Sequence, residues 1–366
     1  MNIAYLRNSL SSKVVLFLAA ISFVFIGVLV GSKPVLAVGT WYVDASNVGT
    51  QDGLTLATAF TTIQAAVDAA AEGDTINVAA GTYNEGNVSR DIYTGASSGS
   101  NVANTGLLVF KNGLTIQGVG GSGNPITNRA NVVATVKATQ RDASLGDTVI
   151  TGDNVTISGL KFELAALPVD ANKNVFATGE NFTLKNSVVN NLVLGYSGLY
   201  LSDERGGMHV NNFSIQNNQF LYGEITITNG VGQTGPASGR NITGNLIEHI
   251  TDWGAVSLMG ITGSGWTTQP IGDVTISGNT FNDNAFQIIA RGSDYANPAG
   301  YWTGFLANNT FDKAVLTLTP ENDARMNEYE RLGGINVPTD PLKKPYFRII
   351  GTNIQESIAR ATSGDT

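Results

Sequence analysis

One short pattern of apolar and polar positions recurs from residue 112 to residue 311. A polar residue is followed by an apolar one, any residue, and then Ile or Leu. Two or three turn residues lead on to another apolar position. The pattern reads Asn112-Gly-Leu-Thr-Ile116-Gln-Gly118, Asn154-Val-Thr-Ile157-Ser-Gly-Leu-Lys-Phe162, Asn181-Phe-Thr-Leu184-Lys-Asn-Ser-Val188 and Asn212-Phe-Ser-Ile215-Gln-Asn-Asn-Gln-Phe220. It continues as Arg240-Asn-Ile242-Thr-Gly-Asn-Leu-Ile247, Asp273-Val-Thr-Ile276-Ser-Gly-Asn-Thr-Phe281 and Gly304-Phe-Leu306-Ala-Asn-Asn-Thr-Phe311. The Ile/Leu positions lie 41, 27, 31, 27, 34 and 30 residues apart.

Each unit holds a strand of three to five residues with period-2 alternation, such as Val155-Thr156-Ile157. A strand that short cannot bury an apolar face alone. Stacking coil upon coil gives every strand two neighbours and builds one continuous core. Spacings near thirty residues suit a coil of three short strands plus loops, and helical periodicity is absent. The pattern therefore predicts an all-β fold, a right-handed parallel β-helix with an N-terminal capping helix.

Turn chemistry agrees with that prediction. Gly or Asn stands two residues after each Ile/Leu, at Gly118, Gly159, Asn186, Asn217, Gly244, Gly278 and Asn308. These two residue types take the left-handed conformation of a sharp bend most readily. Asn218, Asn245, Asn279 and Asn309 fall in the next column, where stacked amides bond along the axis. The expected role of this column is structural.

The start of the body is different. Trp41-Tyr-Val-Asp44 and Thr75-Ile-Asn-Val78 read as strands, and Gly81-Thr-Tyr-Asn-Glu85 as a turn. Phe60 to Ala71 carries apolar residues at 63, 66, 67 and 70, one helical face. A helix there covers the exposed end of a solenoid. Thr62-Ile-Gln-Ala-Ala-Val-Asp-Ala-Ala, Gly73-Asp-Thr-Ile-Asn-Val and Gly81-Thr-Tyr-Asn-Glu together resemble the N-terminal signature of pectin-lyase-like right-handed β-helix proteins. The resemblance covers most of residues 41–350. It implies the fold and says little about chemistry, because that fold hosts lyases, hydrolases, esterases, adhesins and binders.

Composition narrows the function classes. The 366 residues include 43 Gly and no Cys, which excludes disulfides and thiolate chemistry. Net charge is −8. Residues 1–37 hold three positive charges and no negative one, so the remainder carries 18 against 29, a net −11. An acidic body disfavours nucleic acid and anionic membranes as partners. Arg7 and Lys13, the apolar run Val14 to Val30 and the exit Pro34-Val-Leu-Ala37 predict an export signal over 1–37. The run also approaches the length of a membrane anchor, the one route to membrane contact here. The short run and well-formed exit favour cleavage. Either way the body, 38–347, is exported to the cell surface or beyond.

The tail repeats the cap. Ile354 to Thr366 matches Ile63 to Thr75 at six of thirteen positions, with Lys343 to Phe347 as an entering strand. This predicts that 348–366 begins a second β-helix cap.

Enzyme motifs are missing. The turn Gly81-x-Tyr83-x-Glu85 also occurs in pectin methylesterase-like proteins, but their Asp-Phe-Ile-Phe-Gly motif has no match. The Asp-Asp pair and Gly-His-Gly of polygalacturonase-like hydrolases are absent, as are Trp-Ile-Asp-His of pectate-lyase-like proteins and Asp-Pro-His-Glu of alginate epimerase-like ones. What remains is a face. Aligning the coils on Phe162, Val189, Phe220, Ile247, Phe281 and Phe311 brings Glu248, His249, Asp283, Asp312 and Lys313 onto one surface. Nearby loops add Asp252, Trp253, Trp266, Arg291, Asp294, Tyr295 and Trp302. Flat rings pack on sugar faces and carboxylates bind hydroxyls, so this surface is the candidate site for a polysaccharide or another cell-surface component. The expected function is binding without catalysis. The alternative is a polysaccharide lyase or glycoside hydrolase, in which Arg291 neutralises a uronate and Asp283 or Glu248 takes the proton. No cofactor is required, although Ca²⁺ held by Asp283 and Glu248 would suit that alternative.

Overall fold

The structure is a computed structural model. It describes residues 38–86, 89–139, 142, 145–164, 173–192, 197–202, 212–229, 239–250, 254–260, 274–284, 286–291, 301–312, 315–318 and 346–349. The predicted signal at 1–37 and most of the predicted second cap therefore lie outside the described residues. So do residues 230–238 and 292–300.

Three sheets run side by side along one axis. The first stacks Thr40–Val43, Thr75–Val78, Thr115–Gly118, Thr156–Ser158, Phe182–Lys185, Phe213–Gln216, Arg240–Thr243 and Val274–Ser277. The second runs from Gly81–Glu85 through Ala134–Ala138 to Thr310–Phe311, and the third from Leu107–Val109 to Phe286–Arg291. Every pairing named so far is parallel, and the chain visits the sheets in turn. This is a right-handed parallel β-helix.

The register explains the repeat. Ile76, Ile116, Ile157, Leu184, Ile215, Ile242 and Ile276 are consecutive partners in the first sheet. Phe162, Val189, Phe220, Ile247 and Phe281 do the same in the second. All are buried in one core. Alternate residues face out, so a one-residue slip would expose an entire column.

The asparagine column is the predicted ladder. Asn245 Nδ2 donates to the Ile215 carbonyl and to Asn279 Oδ1, both at 2.9 Å. Its Oδ1 accepts from the backbone N–H of Asn218 at 2.9 Å and from Asn218 Nδ2 at 3.1 Å. Asn279 and Asn309 continue the series. Gly159, Asn186, Asn217, Gly244 and Gly278 bend the chain at this corner with φ of 63°, 53°, 54°, 67° and 65°. Gly118 and Asn308, expected in the same column, do not take that conformation. Gly118 closes the strand Thr115–Gly118, and Asn308 ends a helix.

The N-terminal helix is Ile63–Ala69, narrower than the apolar pattern suggested. It covers the open edge of the third sheet. The Gln64 side chain donates to the Leu108 carbonyl at 3.1 Å and accepts the Leu108 N–H at 2.8 Å, as a neighbouring strand would. Buried Glu85 accepts the Ile63 N–H at 2.6 Å and the Gln64 N–H at 3.2 Å. Burial pushes its carboxyl up to about 6, against the pull of those two N–H groups. The predicted turn at Gly81 to Glu85 is instead the first strand of the second sheet, because its alternate residues Tyr83 and Glu85 point into the protein.

The far end also departs from the repeat. Residues Tyr301–Asn308 form a helix where the pattern predicted a strand around Leu306. Phe305 turns inward against Phe281 and Phe311, with ring centroids 5.7 and 5.6 Å apart. A helix satisfies its own backbone, so beside the first sheet it covers the core without adding another strand edge. In the third sheet, Tyr346–Ile349 lies antiparallel to both Phe286–Arg291 and Val315–Leu318. Lys343 to Phe347, expected as a strand leading into a second cap, thus contributes its last two residues to an antiparallel strand of this same sheet.

Candidate functional site

Between the second and third sheets each coil turns one more corner. In-register pairing carries past the strand ends: the Tyr222 N–H donates to the Glu248 carbonyl and the His249 N–H to the Asn282 carbonyl, both at 3.1 Å. Tyr222, His249 and Asp283 consequently follow one another along the axis at about 4.8 Å per coil. All three are left-handed, with φ of 60°, 62° and 52°. Asp and His are enriched in that region among non-glycine residues, but for a ring as large as Tyr it is a true outlier.

Their side chains meet outside the corner. The rings of Tyr222 and His249 stack with centroids 5.4 Å apart and 22° between planes. His249 Nδ1 lies 3.0 Å from Asp283 Oδ2. The Asp283 backbone N–H donates to Asp312 Oδ2 at 2.9 Å. Tyr222 is 36% exposed, and the side chains of His249 and Asp283 are 38% and 55% exposed. Beneath the ridge, buried Asn284 accepts the Ile250 N–H at 3.0 Å and donates to the Ile247 carbonyl at 2.8 Å.

Glu248 stands beside the ridge, on the outer side of the second sheet. Its two oxygens accept from Gln219 Nε2 at 2.8 Å and Asn282 Nδ2 at 2.9 Å. The equivalent position two coil steps earlier is Asn190, and the one before it Glu163. Glu163 is held by Lys137 and Lys161, each at 2.5 Å. Its burial would raise the carboxyl, but the two ammonium groups prevail and hold it below the usual range.

Arg291 is elsewhere. It ends the strand Phe286–Arg291, whereas Asp283 precedes that strand at the corner. Five residue steps at about 3.3 Å separate the ends of the strand. The backbones of Arg291 and Asp283 therefore stand at opposite ends of that strand. Trp302 lies on the C-terminal helix. Asp252, Trp253, Trp266, Asp294, Tyr295 and Lys313 lie outside the described residues. Among the described residues no group of three or more acidic or imidazole side chains gathers as a metal site.

Sequence reading missed Tyr222 as a site residue, although it named the column in which Tyr222 stands. It also missed a cluster on the outer face of the third sheet. There Glu224 accepts from Ser197 Oγ at 3.0 Å and Thr226 Oγ1 at 3.1 Å. Lys173 Nζ sits 3.9 Å from the centroid of the Tyr200 ring, which stacks on Phe176. The available signal was a strand apolar on both faces, as at Leu107–Val109 and Thr148–Ile150, which marks a sheet covered on both sides. Ile92 and Ala103, flanking or within the antiparallel pair Arg90–Asp91 with Val102–Ala103, supply part of that cover. Tyr200 and Glu224 are buried, so this cluster packs the sheet and offers no open face.

No family model matches the chain, and no curated protein does. Among solved structures, a pectin methylesterase from Aspergillus niger is 14% identical over 77% of this chain and 87% of its own, with a TM-score of 0.34. A mutant pectin methylesterase in complex with a hexasaccharide is 14% identical over 83% of this chain and all of its own, with a TM-score of 0.35. The fold assignment rests on the strand pairing above.

Proposed function

We propose that this is an exported, surface-associated β-helix protein that binds polysaccharide along the Tyr222–His249–Asp283 ridge and does not cleave it. The carrying observation is the exposed Tyr222–His249 stack with Asp283 bonded to its edge. Rings of this kind pack on sugar faces, and the carboxylates accept from sugar hydroxyls. Three coils present these groups in a line along the axis, a footprint of about 10 Å that suits a chain of sugars better than a single one. The absence from the sequence of the lyase, hydrolase and esterase motifs named above supports binding over catalysis. Glu248, one of the candidate bases, already accepts two amides.

The second reading, a lyase or hydrolase, has one observation in its favour. His249 is hydrogen-bonded to Asp283, an arrangement that orients an imidazole as a base. One experiment separates the two. The protein is incubated with a panel of polysaccharides, and retention on the polymer is followed alongside the absorbance of unsaturated products and new reducing ends. Retention without product, lost in Tyr222→Gly, is the expected result. Product that disappears in His249→Ala would replace binding with catalysis.

A further inference from the structure

We propose that the outer face of the first sheet binds ice. This is a different face from the ridge, and the inference does not depend on the ridge reading. On that sheet the buried Ile/Leu column is flanked by two outward rows. One begins Thr75, Thr115, Thr156 and Thr183 and continues through Ser214 and Asn241 to Thr275. The other runs from Asn77 to Ser277 and holds two glutamines, two serines, an asparagine, a threonine and one charge, Lys185. All fourteen positions but Ser158 are partly or fully exposed. Each residue pairs in register with the next, so the rows step by about 4.8 Å per coil and stand about 7 Å apart.

A water molecule in ice donates and accepts hydrogen bonds at once, and a group that takes its place at the surface must do the same. Hydroxyls and amides do both, whereas carboxylates only accept and ammonium groups only donate. Thirteen of the fourteen positions are hydroxyl or amide side chains, and Lys185 is the exception. The coil does not require this. The fourteen matching positions on the outer face of the second sheet, Thr82 to Thr280 and Asn84 to Asn282, include four charged and three apolar residues, among them Lys161, Glu163 and Leu221. Charges in the coils of the first sheet stand instead at the corner before the strands, as at Asp153 and Glu180. Branching at Cβ restricts χ1 of threonine, so the hydroxyls keep the spacing of the backbone. Ice repeats in two directions at intervals of the same order. Two other occupants fit less well. The grid is about 29 Å long and about 10 Å wide, roughly 300 Å², against the about 800 Å² that each partner of a stable protein complex buries. A sugar chain packs best on aromatic rings, and these rows carry one, Tyr42, at their end.

The test uses the full chain, a slowly growing ice surface and a non-binding control protein of similar charge. Protein taken into the ice is compared with protein left in the liquid, and the gap between melting and freezing points is read in the same samples. The expected result is enrichment in the ice and a measurable gap. Both should be lost in Thr156→Lys, in the middle of its row, and reduced in Thr156→Val, which keeps the shape of the side chain and removes the hydroxyl. Thr135→Lys places the same charge on the second sheet and should leave both readings as they are, as should Tyr222→Gly on the ridge. Far-UV circular dichroism checks that each variant is folded. Exclusion of the parent from ice at the level of the control would overturn the proposal. So would equal losses in Thr156→Lys and Thr135→Lys, because the effect would not belong to this face. Retention on cellulose or chitin that Thr156→Lys abolishes, without enrichment in ice, would make the ligand a polysaccharide and overturn the proposal as well.

Discussion

Two corners of the coil bend with the same backbone and are filled by different residues. Between the first and second sheets the left-handed position is Gly159, Asn186, Asn217, Gly244 or Gly278. Between the second and third sheets it is Tyr222, His249 and Asp283, with Leu192 one residue further along in the coil before them. The first corner uses residues that reach this conformation at little cost, and its next column is the buried asparagine ladder. The second accepts a conformation that costs roughly 1–2 kcal/mol per residue for most side chains. In return, it lines up rings and a carboxylate on an exposed edge. Leu192 shows that the strain belongs to the bend itself, and the coils that follow place a tyrosine, a histidine and an aspartate on it.

The strongest way to break the comparison is to remove a rung of the ladder. Asn245→Ala leaves the Asn218 N–H and the Ile215 carbonyl without the side-chain partners described above. Each buried, unsatisfied group costs about 1–3 kcal/mol, so a loss of about 3 kcal/mol or more is expected. Chemical denaturation followed by far-UV circular dichroism would measure it, with a lower midpoint at unchanged slope. A loss under about 0.5 kcal/mol would mean that the ladder is not what holds the first corner.

The asparagine ladder is neutral, so it should not control the response of stability to pH between 4 and 7. The N-terminal cap should. Glu85 has an ordinary value of 4.5 and a folded value of about 6. Below 4.5 the carboxyl is protonated in both folded and unfolded chains, and its contribution is at its best. As pH rises through 6, the folded chain must hold a buried carboxylate, and stability falls. The full drop is about 2 kcal/mol. Melting temperature measured from pH 4 to pH 7 should decline, and Glu85→Gln should flatten that decline.

How much of this was legible depends on what neighbours in sequence can encode. The ladder was legible because its asparagines recur at a fixed distance after Ile215, Ile242 and Ile276. The C-terminal helix was not, since Gly304 to Phe311 obeys the strand pattern residue by residue. Only its place at the end of the stack, where Phe305 must close the core over Phe281, selects a helix. The ridge was half legible. Column alignment found His249 and Asp283, because it reports neighbours from coil to coil. It put Arg291 beside them because it does not report distance along a strand. Tyr222 stood in the same column but was not singled out, because nothing in its sequence context announces a left-handed tyrosine.

A methyl group at Gly244 tests the first corner from the other side. An ideal Cβ there lies 2.4 Å from Asn217 Oδ1, at a φ of +67°. Gly244→Ala should cost about 1–2 kcal/mol from the left-handed backbone alone, with displacement of Asn217 added to it. The same denaturation experiment reads it.

The smallest change in stability, and the sharpest contrast, belongs to Tyr222→Gly. Glycine adopts a φ of 60° freely, so the substitution relieves the backbone while removing the ring that stacks on His249. Tyr222 is more than one-third exposed, so little buried area is lost with it. The two effects offset one another, and stability should stay within about 1 kcal/mol of the parent. Binding should not survive so well. Without the ring the sugar loses its flat platform, and the dissociation constant should rise about tenfold, equivalent to about 1.4 kcal/mol. A protein as stable as its parent that no longer holds polysaccharide would show that the second corner keeps a tyrosine against its backbone preference for the sake of the ligand. A variant that binds as well as the parent would make the left-handed tyrosine an accident of the coil, and the two corners equivalent.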